Sequence, residues 1–261
     1  MQEISFAIEV CQAAGEIAMK HYRQGVECSD KSDGSPVTIA DRECEQFIRD
    51  RINQTFAADG ILGEEHGESI GSVGNRRWII DPIDGTFNYA RQITIFSTLL
   101  ALEADGEIVL GVVHAPAMAE TFWAEKGKGA FRNGEKISVS QCSKIAEANF
   151  NFGSPERILK AGYWQGFTSL VECTRRQRGF GDYLSFSQVF EGKAEAAVEM
   201  NVKPWDLAPM KILAEESGGK YSDLKGSNSI YTGSCLVSNS FLHEQFVDII
   251  RSRVTAAPRS E

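Results

Sequence analysis

A chain of 261 residues, 42% hydrophobic and 24% charged, has ordinary globular composition and enough length for one large domain or two closely packed halves. No apolar run approaches the roughly 18 residues that span a bilayer, and the start, acidic at Glu3 and Glu9 with no basic region, does not read as a secretory leader; a cytoplasmic location and no membrane partner are expected. A formal charge of −9 with dispersed basic residues argues against a nucleic-acid partner.

Ile4, Ala7, Ile8, Cys11, Ala14, Ala18, Met19 and Tyr22 recur at helical spacing and predict a helix over 3–23. The polar stretch 29–36 predicts an exposed loop. A second amphipathic helix over 41–56 turns Cys44, Phe47, Ile48, Ile52 and Phe56 inward. Short strands follow at 61–63 and 77–80, and strands over 95–103 and 108–114 flank Asp105-Gly106, a strong hairpin signal. Residues 121–125 and 137–140 read as further strands of that sheet. Beyond Ala148 the pattern predicts helices over 155–174 and 182–192 and a strand at 194–199. A helix over 206–217 is stopped by Gly218-Gly219; a strand at 235–238 and a helix over 240–253 complete the chain. The expected organisation is an N-terminal α+β half over 1–147, a C-terminal α/β half over 148–254 and a frayed tail over 255–261. Helices mixed with hairpins indicate an α+β or layered α/β architecture, not a simple doubly wound sheet.

Six cysteines without a Cys-x-x-Cys pair and four scattered histidines argue against zinc and for reduced thiols. Chemistry concentrates instead in Trp78-Ile79-Ile80-Asp81-Pro82-Ile83-Asp84-Gly85-Thr86. Apolar residues run straight into Asp81, which places it at the end of a buried strand. Pro82 cannot continue a ladder, so a turn is expected there. That turn lets Asp81, Asp84 and the Ile83 carbonyl point to one spot, and hard oxygen donors suit magnesium. Backbone N–H groups at Gly85 and Thr86 offer a cradle for phosphate oxygens. Each piece also has a plainer meaning. Asp84-Gly85 reads as a turn, Asp81 as a cap, Glu64 as a surface acid and Asp206 as a helix N-cap. Arg175-Arg176-Gln177-Arg178 reads as a solvated helix end or an anion contact. If Glu64, Asp81, Asp84 and Asp206 gather, charges 4 Å apart repel by about 1–4 kcal/mol per pair, and bound metal is the simplest compensation.

Together, Glu64 in Gly63-Glu64-Glu65, the segment from Asp81 to Thr86 and Trp205-Asp206 resemble the inositol monophosphatase-like, lithium-sensitive phosphatases. Asp41 after Pro36-Val37-Thr38-Ile39-Ala40, Gly111-Val112-Val113 followed by Pro116, Gly127 and Gly129-Ala130-Phe131, Asn133-Gly134 and Glu216-Ser217-Gly218-Gly219 extend the resemblance over 4–254. It implies a layered α-β-α-β-α sandwich, a homodimer and two to three Mg2+ per site. By the same resemblance Asp81 would bridge two ions, Glu64 and the Ile83 carbonyl would complete one, and Asp84 and Asp206 would hold the other. Gly85 and Thr86 would bind phosphate. Asp41 would hold the Thr86 hydroxyl, and that pair with Glu64 would orient the attacking water; Lys31 would lie near a third ion. Direct attack by water is expected, since no motif for a covalent nucleophile is evident.

In the family that the chain resembles, substrate choice is set mainly by the second half. Arg178-Gly179-Phe180-Gly181-Asp182-Tyr183-Leu184 departs from the small-residue run of inositol phosphatases and is similar to the histidinol-phosphatase branch, as are Glu199-Met200 and the segment 203–209. Asp182 and Glu199 could pair with the protonated amine of histidinol phosphate, although Asp182 also reads as an N-cap. Arg178 could contact substrate or a dimer partner. The expected reaction is L-histidinol phosphate to L-histidinol and phosphate, a step of histidine biosynthesis. The alternatives are an inositol, polyol or sugar phosphate, then a nucleotide bisphosphate, and outside catalysis a metal-binding regulatory dimer.

Overall fold

The structure, a computed structural model, describes residues 2–25, 29–30, 36–72 and 74–252. Lys31 and the tail 255–261 lie outside the described residues.

Helix α1 (Gln2–Gln24) buries Phe6, Ala7, Val10, Cys11, Ala14 and Ala18 along one face, as its periodicity predicts. Residues Ser29–Asp30 (β1) and Pro36–Val37 (β2) form a small antiparallel pair. Helix α2 (Ile39–Thr55) begins two residues earlier than 41 because Thr38 caps it: its Oγ1 accepts from the Ala40 N–H, and Asp41 returns a bond to the Thr38 N–H.

The large sheet is built from β3 (Gly60–Gly63), β4 (Gly67–Ser69), β5 (Arg76–Asp84), β6 (Ser97–Ala104), β7 (Glu107–Ala115), β8 (Glu120–Glu125), β9 (Gly129–Arg132) and β10 (Glu135–Ile137). Between β5 and β6 lies the single-turn helix α3 (Thr86–Ala90). The strand order is β10-β9-β8-β7-β6-β5-β3-β4, antiparallel except where β3 runs parallel to β5. Alternation along β5 sorts its side chains. Trp78 and Ile80 pack with Ala14, Cys44 and Ile48 of the first two helices, and Ile79 points to the opposite core. Each such fully buried side chain contributes about 1.5–3 kcal/mol. Asp105 and Gly106, both at positive φ (52° and 79°), make the expected hairpin turn. Pro82 corrects an expectation. The strand does not end there but continues to Asp84 through an irregularity of register between Asp81 and Asp84. A bulge needs no ladder N–H from proline, and the Pro82 carbonyl accepts from Thr98 Oγ1 at 2.9 Å. The strand expected over 137–140 is instead β10, paired to β9.

The second sheet contains β11 (Asn149–Phe152), then, after helices α4 (Pro155–Lys160) and α5 (Trp164–Cys173), β12 (Arg176–Arg178). Helix α6 (Asp182–Phe190), β13 (Ala196–Met200), α7 (Pro204–Glu216), β14 (Gly219–Ser222), β15 (Ser234–Asn239) and α8 (His243–Arg251) follow, with strand order β12-β11-β13-β15-β14. The single helix expected over 155–174 is broken at Gly162, whose φ of 82° suits only glycine well. The arginine cluster is not a helix end: Arg176, Gln177 and Arg178 pair in parallel with Asn149, Phe150 and Asn151 at the sheet edge.

Helix α7 is apolar on most sides, burying Leu207, Ala208, Met210, Ile212, Leu213 and Ala214, and so belongs between two layers. With α6 it fills the space between the sheets, against Leu99, Val113 and Phe122 on one side and Ala197, Tyr221 and Val237 on the other. On the outer face of the second sheet, Phe150, Val198 and Leu236 meet Phe167, Leu170 and Phe246 of α5 and α8. The result is the α+β sandwich of layers α-β-α-β-α. No described helix is long and apolar enough to cross a membrane.

Candidate active site

Parallel pairing of β3 with β5 brings two strand ends to one edge, with Gly63 opposite Ile80. The Glu64 N–H donates to the Ile80 carbonyl at 3.2 Å, so Glu64 follows beside Asp81. Asp81 is 2% exposed, and its Oδ1 has no hydrogen-bond partner among the described residues. After the bulge, Asp84 Oδ2 accepts from the Tyr183 N–H at 2.8 Å and from Ser97 Oγ at 3.3 Å. Gly85 then turns the chain at φ 83°, where a Cβ would come within 2.9 Å of the Ile95 carbonyl. Thr86 opens α3 with its hydroxyl 3.0 Å from the Ile83 carbonyl and 3.2 Å from Asp41 Oδ1. Asp206 arrives from the first turn of α7, where its Oδ2 accepts from the Lys203 N–H at 2.7 Å. Asp206 is thus not the N-cap, a position that Lys203 holds, but the N3 residue of a capping box, and that role coexists with its place in the site.

One carboxylate oxygen from each of Asp81, Asp84 and Asp206 lies within 4.8 Å of the others. These three, with Glu64, Ile83, Gly85 and Thr86, line a cavity of about 490 Å³. Asp182, Glu199 and Arg157 line the same cavity, and Asp182 lies beside the cradle, its Oδ2 3.2 Å from where a Cβ on Gly85 would stand. Asp182 is not the N-cap of α6. Gly181 holds that position, and Asp182, at φ 49°, accepts from Asn88 Nδ2 at 2.7 Å. Glu199 on β13 is buried directly over Gly153, where a Cβ would stand 1.9 Å from either carboxylate oxygen, and it has no hydrogen-bond partner among the described residues. Arg178 is not brought to the cavity; it lies exposed on β12 with Nη1 donating to the Gln177 carbonyl at 2.7 Å.

Electrostatically the site is dominated by acids, with Arg157 and Lys203 as the cations among its lining residues. Burial, then Glu64, Asp206 and Asp84, hold the Asp81 carboxyl far above the usual range. Asp84 is raised by burial and by Asp182, and Asp206 by burial. Burial pushes Asp41 up to about 6, against the lowering effect of its Thr38 bonds. Asp182 is pushed up to about 6 and Glu199 to about 8, again first by burial. Among the described residues no lysine, arginine or histidine forms an ion pair with Asp81, Asp84 or Asp206. A buried carboxylate oxygen without a partner, beside two further carboxylates, fits a hard divalent cation with oxygen ligands such as Mg2+.

Sequence reasoning missed Arg157 and Asn88, which carry no local signal, and also Glu45 and Arg49 of α2. For those two a signal existed: charged residues four apart on the face that buries Cys44, Ile48 and Ile52.

Comparison with known proteins agrees with this geometry. The family profile described as the inositol monophosphatase family matches residues 1–255. Histidinol-phosphatase of Mycobacterium tuberculosis is 38% identical over 220 residues, covering 82% of this chain and 84% of its own length. The crystal structure of extragenic suppressor protein suhB from Bartonella henselae superposes with a TM-score of 0.91 at 28% identity, covering 97% of this chain and all of that one (100%). An IMPase/NADP phosphatase solved with Mg2+ and phosphate superposes at 0.84 and 25% identity, with 97% of each chain covered. The chain belongs to the inositol monophosphatase family and is a phosphatase, a phosphoric monoester hydrolase.

Proposed function

We propose that this phosphatase hydrolyses L-histidinol phosphate to L-histidinol and phosphate, with Mg2+ and by direct attack of water. The observation that carries the substrate is a second pair of acids in the cavity. Asp182, beside the Gly85 cradle, and Glu199, which has no hydrogen-bond partner among the described residues, line the same space as the carboxylates proposed to hold metal. A molecule that carries a protonated amine as well as a phosphate would give those acids a partner. The likeness to a histidinol-phosphatase supports the same choice.

Glu64, Asp81, the Ile83 carbonyl, Asp84 and Asp206 would hold two to three Mg2+. Bound there, the ions supply positive charge for the phosphate and lower the pKa of water from about 15.7 toward neutrality. The chain's own groups do the positioning. Gly85 and Thr86 N–H groups would take phosphate oxygens. Thr86 Oγ1 donates toward Asp41 and so keeps a lone pair for the attacking water, with Glu64 orienting that water from the other side. On this reading the enzyme works in the cytoplasm as a homodimer, in histidine biosynthesis, with Arg178, which lies outside the cavity, left to contact the partner subunit.

A polyol phosphate such as inositol phosphate is the second reading, favoured by Glu199, whose oxygens would also accept from hydroxyls. A panel of Mg2+-dependent phosphate release decides between them, using histidinol phosphate, inositol phosphate, fructose bisphosphate and an adenosine bisphosphate. Histidinol phosphate should lead in kcat/KM by at least about tenfold. Equal or lower turnover of it would remove the substrate assignment. No turnover of any ester would favour a regulatory dimer.

A further inference from the structure

Three buried side chains of α2 surround the loops that carry the metal-binding groups. Asp41, Glu45 and Arg49 follow at i, i+4 and i+8 on one helix face and are 0%, 0% and 8% exposed. A charged row on the buried side of a helix is unfavourable unless each group finds partners. Here the partners lie in two loops rather than in the apolar core. Asp41 reaches Thr86. Glu45 accepts from the Glu65 N–H at 2.6 Å, the His66 N–H at 3.1 Å and Arg49 Nε at 2.8 Å. Arg49 Nη2 then donates to the Gly67 carbonyl. The approach is so close that a Cβ on Gly63 would meet Glu45 Oε1 at 2.1 Å and Arg49 Nη2 at 2.9 Å. One buried ion pair thus touches residue 63 and residues 65, 66 and 67, every neighbour of Glu64 in the turn.

We infer that Glu45 is a positioning residue for divalent-cation binding: with Arg49 it fixes the 63–67 turn so that the Glu64 carboxylate is held beside Asp81. This rests on the proposed role of Glu64 as a magnesium ligand. Glu45 is not itself a ligand, because its oxygens are turned to two backbone donors and a guanidinium. A turn that begins at Gly63 and ends at Gly67, whose φ is 69°, has little stiffness of its own. Without the clamp, Glu64 would have to be ordered at the moment an ion binds, and affinity would fall.

The test titrates apo protein with Mg2+ alone, following the melting temperature, and separately measures the Mg2+ concentration for half-maximal activity. Glu45→Gln, of the same shape but without charge, should raise both midpoints about tenfold or more, while kcat at saturating Mg2+ changes far less. Asp59→Asn is the control. Asp59 binds Arg76 Nε at 3.1 Å and Trp78 Nε1 at 3.0 Å, away from the site. Its loss should lower the apo melting temperature and leave the Mg2+ midpoints unchanged. If Glu45→Gln behaves like Asp59→Asn, Glu45 is a stabilising residue only and the inference is wrong. Should the glutamine variant not fold, Glu45→Asp keeps the charge but shortens the reach. The same shift is expected, and a wild-type midpoint overturns the inference equally. A wild-type protein whose melting temperature ignores Mg2+ would remove the metal assignment itself, a result that needs no variant.

Discussion

The acids of the cavity form two groups that are held in place by different means. In the carboxylate cluster each group grows out of regular structure: Asp81 and Asp84 from the bulged end of β5, Asp206 from the first turn of α7, Glu64 from the turn after β3. Backbone donors fix Asp84 and Asp206, and Asp81 Oδ1 has no hydrogen-bond partner among the described residues. In the second group, Asp182 has a left-handed backbone and one side-chain partner, and Glu199 has none among the described residues. The difference teaches where selection can act. A reacting centre tolerates little movement, since displacements of about 1 Å cost large factors in rate. A group that only recognises the rest of the substrate can be left waiting for its partner.

The sharpest way to break that contrast is at Asp81. Asp81→Asn should lower kcat/KM by about a thousandfold or more, because a charge central to the carboxylate cluster proposed to hold Mg2+ is lost with little change of volume. In a chelator the same variant should melt no lower than wild type, since burial already disfavours the charged form. Near-normal turnover would show that the two groups of acids do not differ as described.

Asp182→Asn should act selectively, reducing histidinol phosphate hydrolysis by roughly ten- to a hundredfold and glycerol phosphate hydrolysis much less. Equal losses on both substrates would make Asp182 part of the framework. Mg2+ should also raise the melting temperature of wild type, by an amount equivalent to about 2.7 kcal/mol at a hundred times the dissociation constant. Asp182→Asn should keep that response and Asp81→Asn lose most of it; calorimetry with and without chelator measures both.

The smallest expected effect is in the pH dependence of the apo protein. Glu199 is pushed up to about 8 from 4.5, so the folded state binds its proton more tightly than the unfolded chain does. Its contribution to stability is complete below pH 4.5 and is lost as pH rises through about 8. Glu199→Gln should therefore flatten the fall in melting temperature across that window. An unchanged slope would mean that Glu199 does not titrate there.

Much of this fold is readable in the sequence, for identifiable reasons. Long periodic faces declare α1 and α2, and Asp105-Gly106 declares its hairpin, because local spacing and local torsion suffice there. The short strands β4, β9, β11, β12 and β14 went unread. Three or four residues carry no usable alternation, and such strands exist only because neighbours pair with them. Pro82 was misread for a related reason: a proline excludes a ladder donor, yet a bulge requires none. At the site, Asp81 and Asp84 could be seen as neighbours from three residues of spacing. The addition of Asp206, 122 residues beyond Asp84, came only from resemblance until the three carboxylates were found within 4.8 Å. Glu45 was passed over because a charged residue in a helix is ordinarily assigned to the solvent side.

Helix α7 lies against the large sheet so closely that a Cβ on Gly111 would stand 2.7 Å from Pro209 Cα and 2.6 Å from Ile212 Cγ2. The same helix also packs on β14 and β15 of the other sheet. For anyone redesigning this enzyme, the helix acts as a keel: the smallest addition beneath it, even a methyl group, would tilt the element that delivers Asp206.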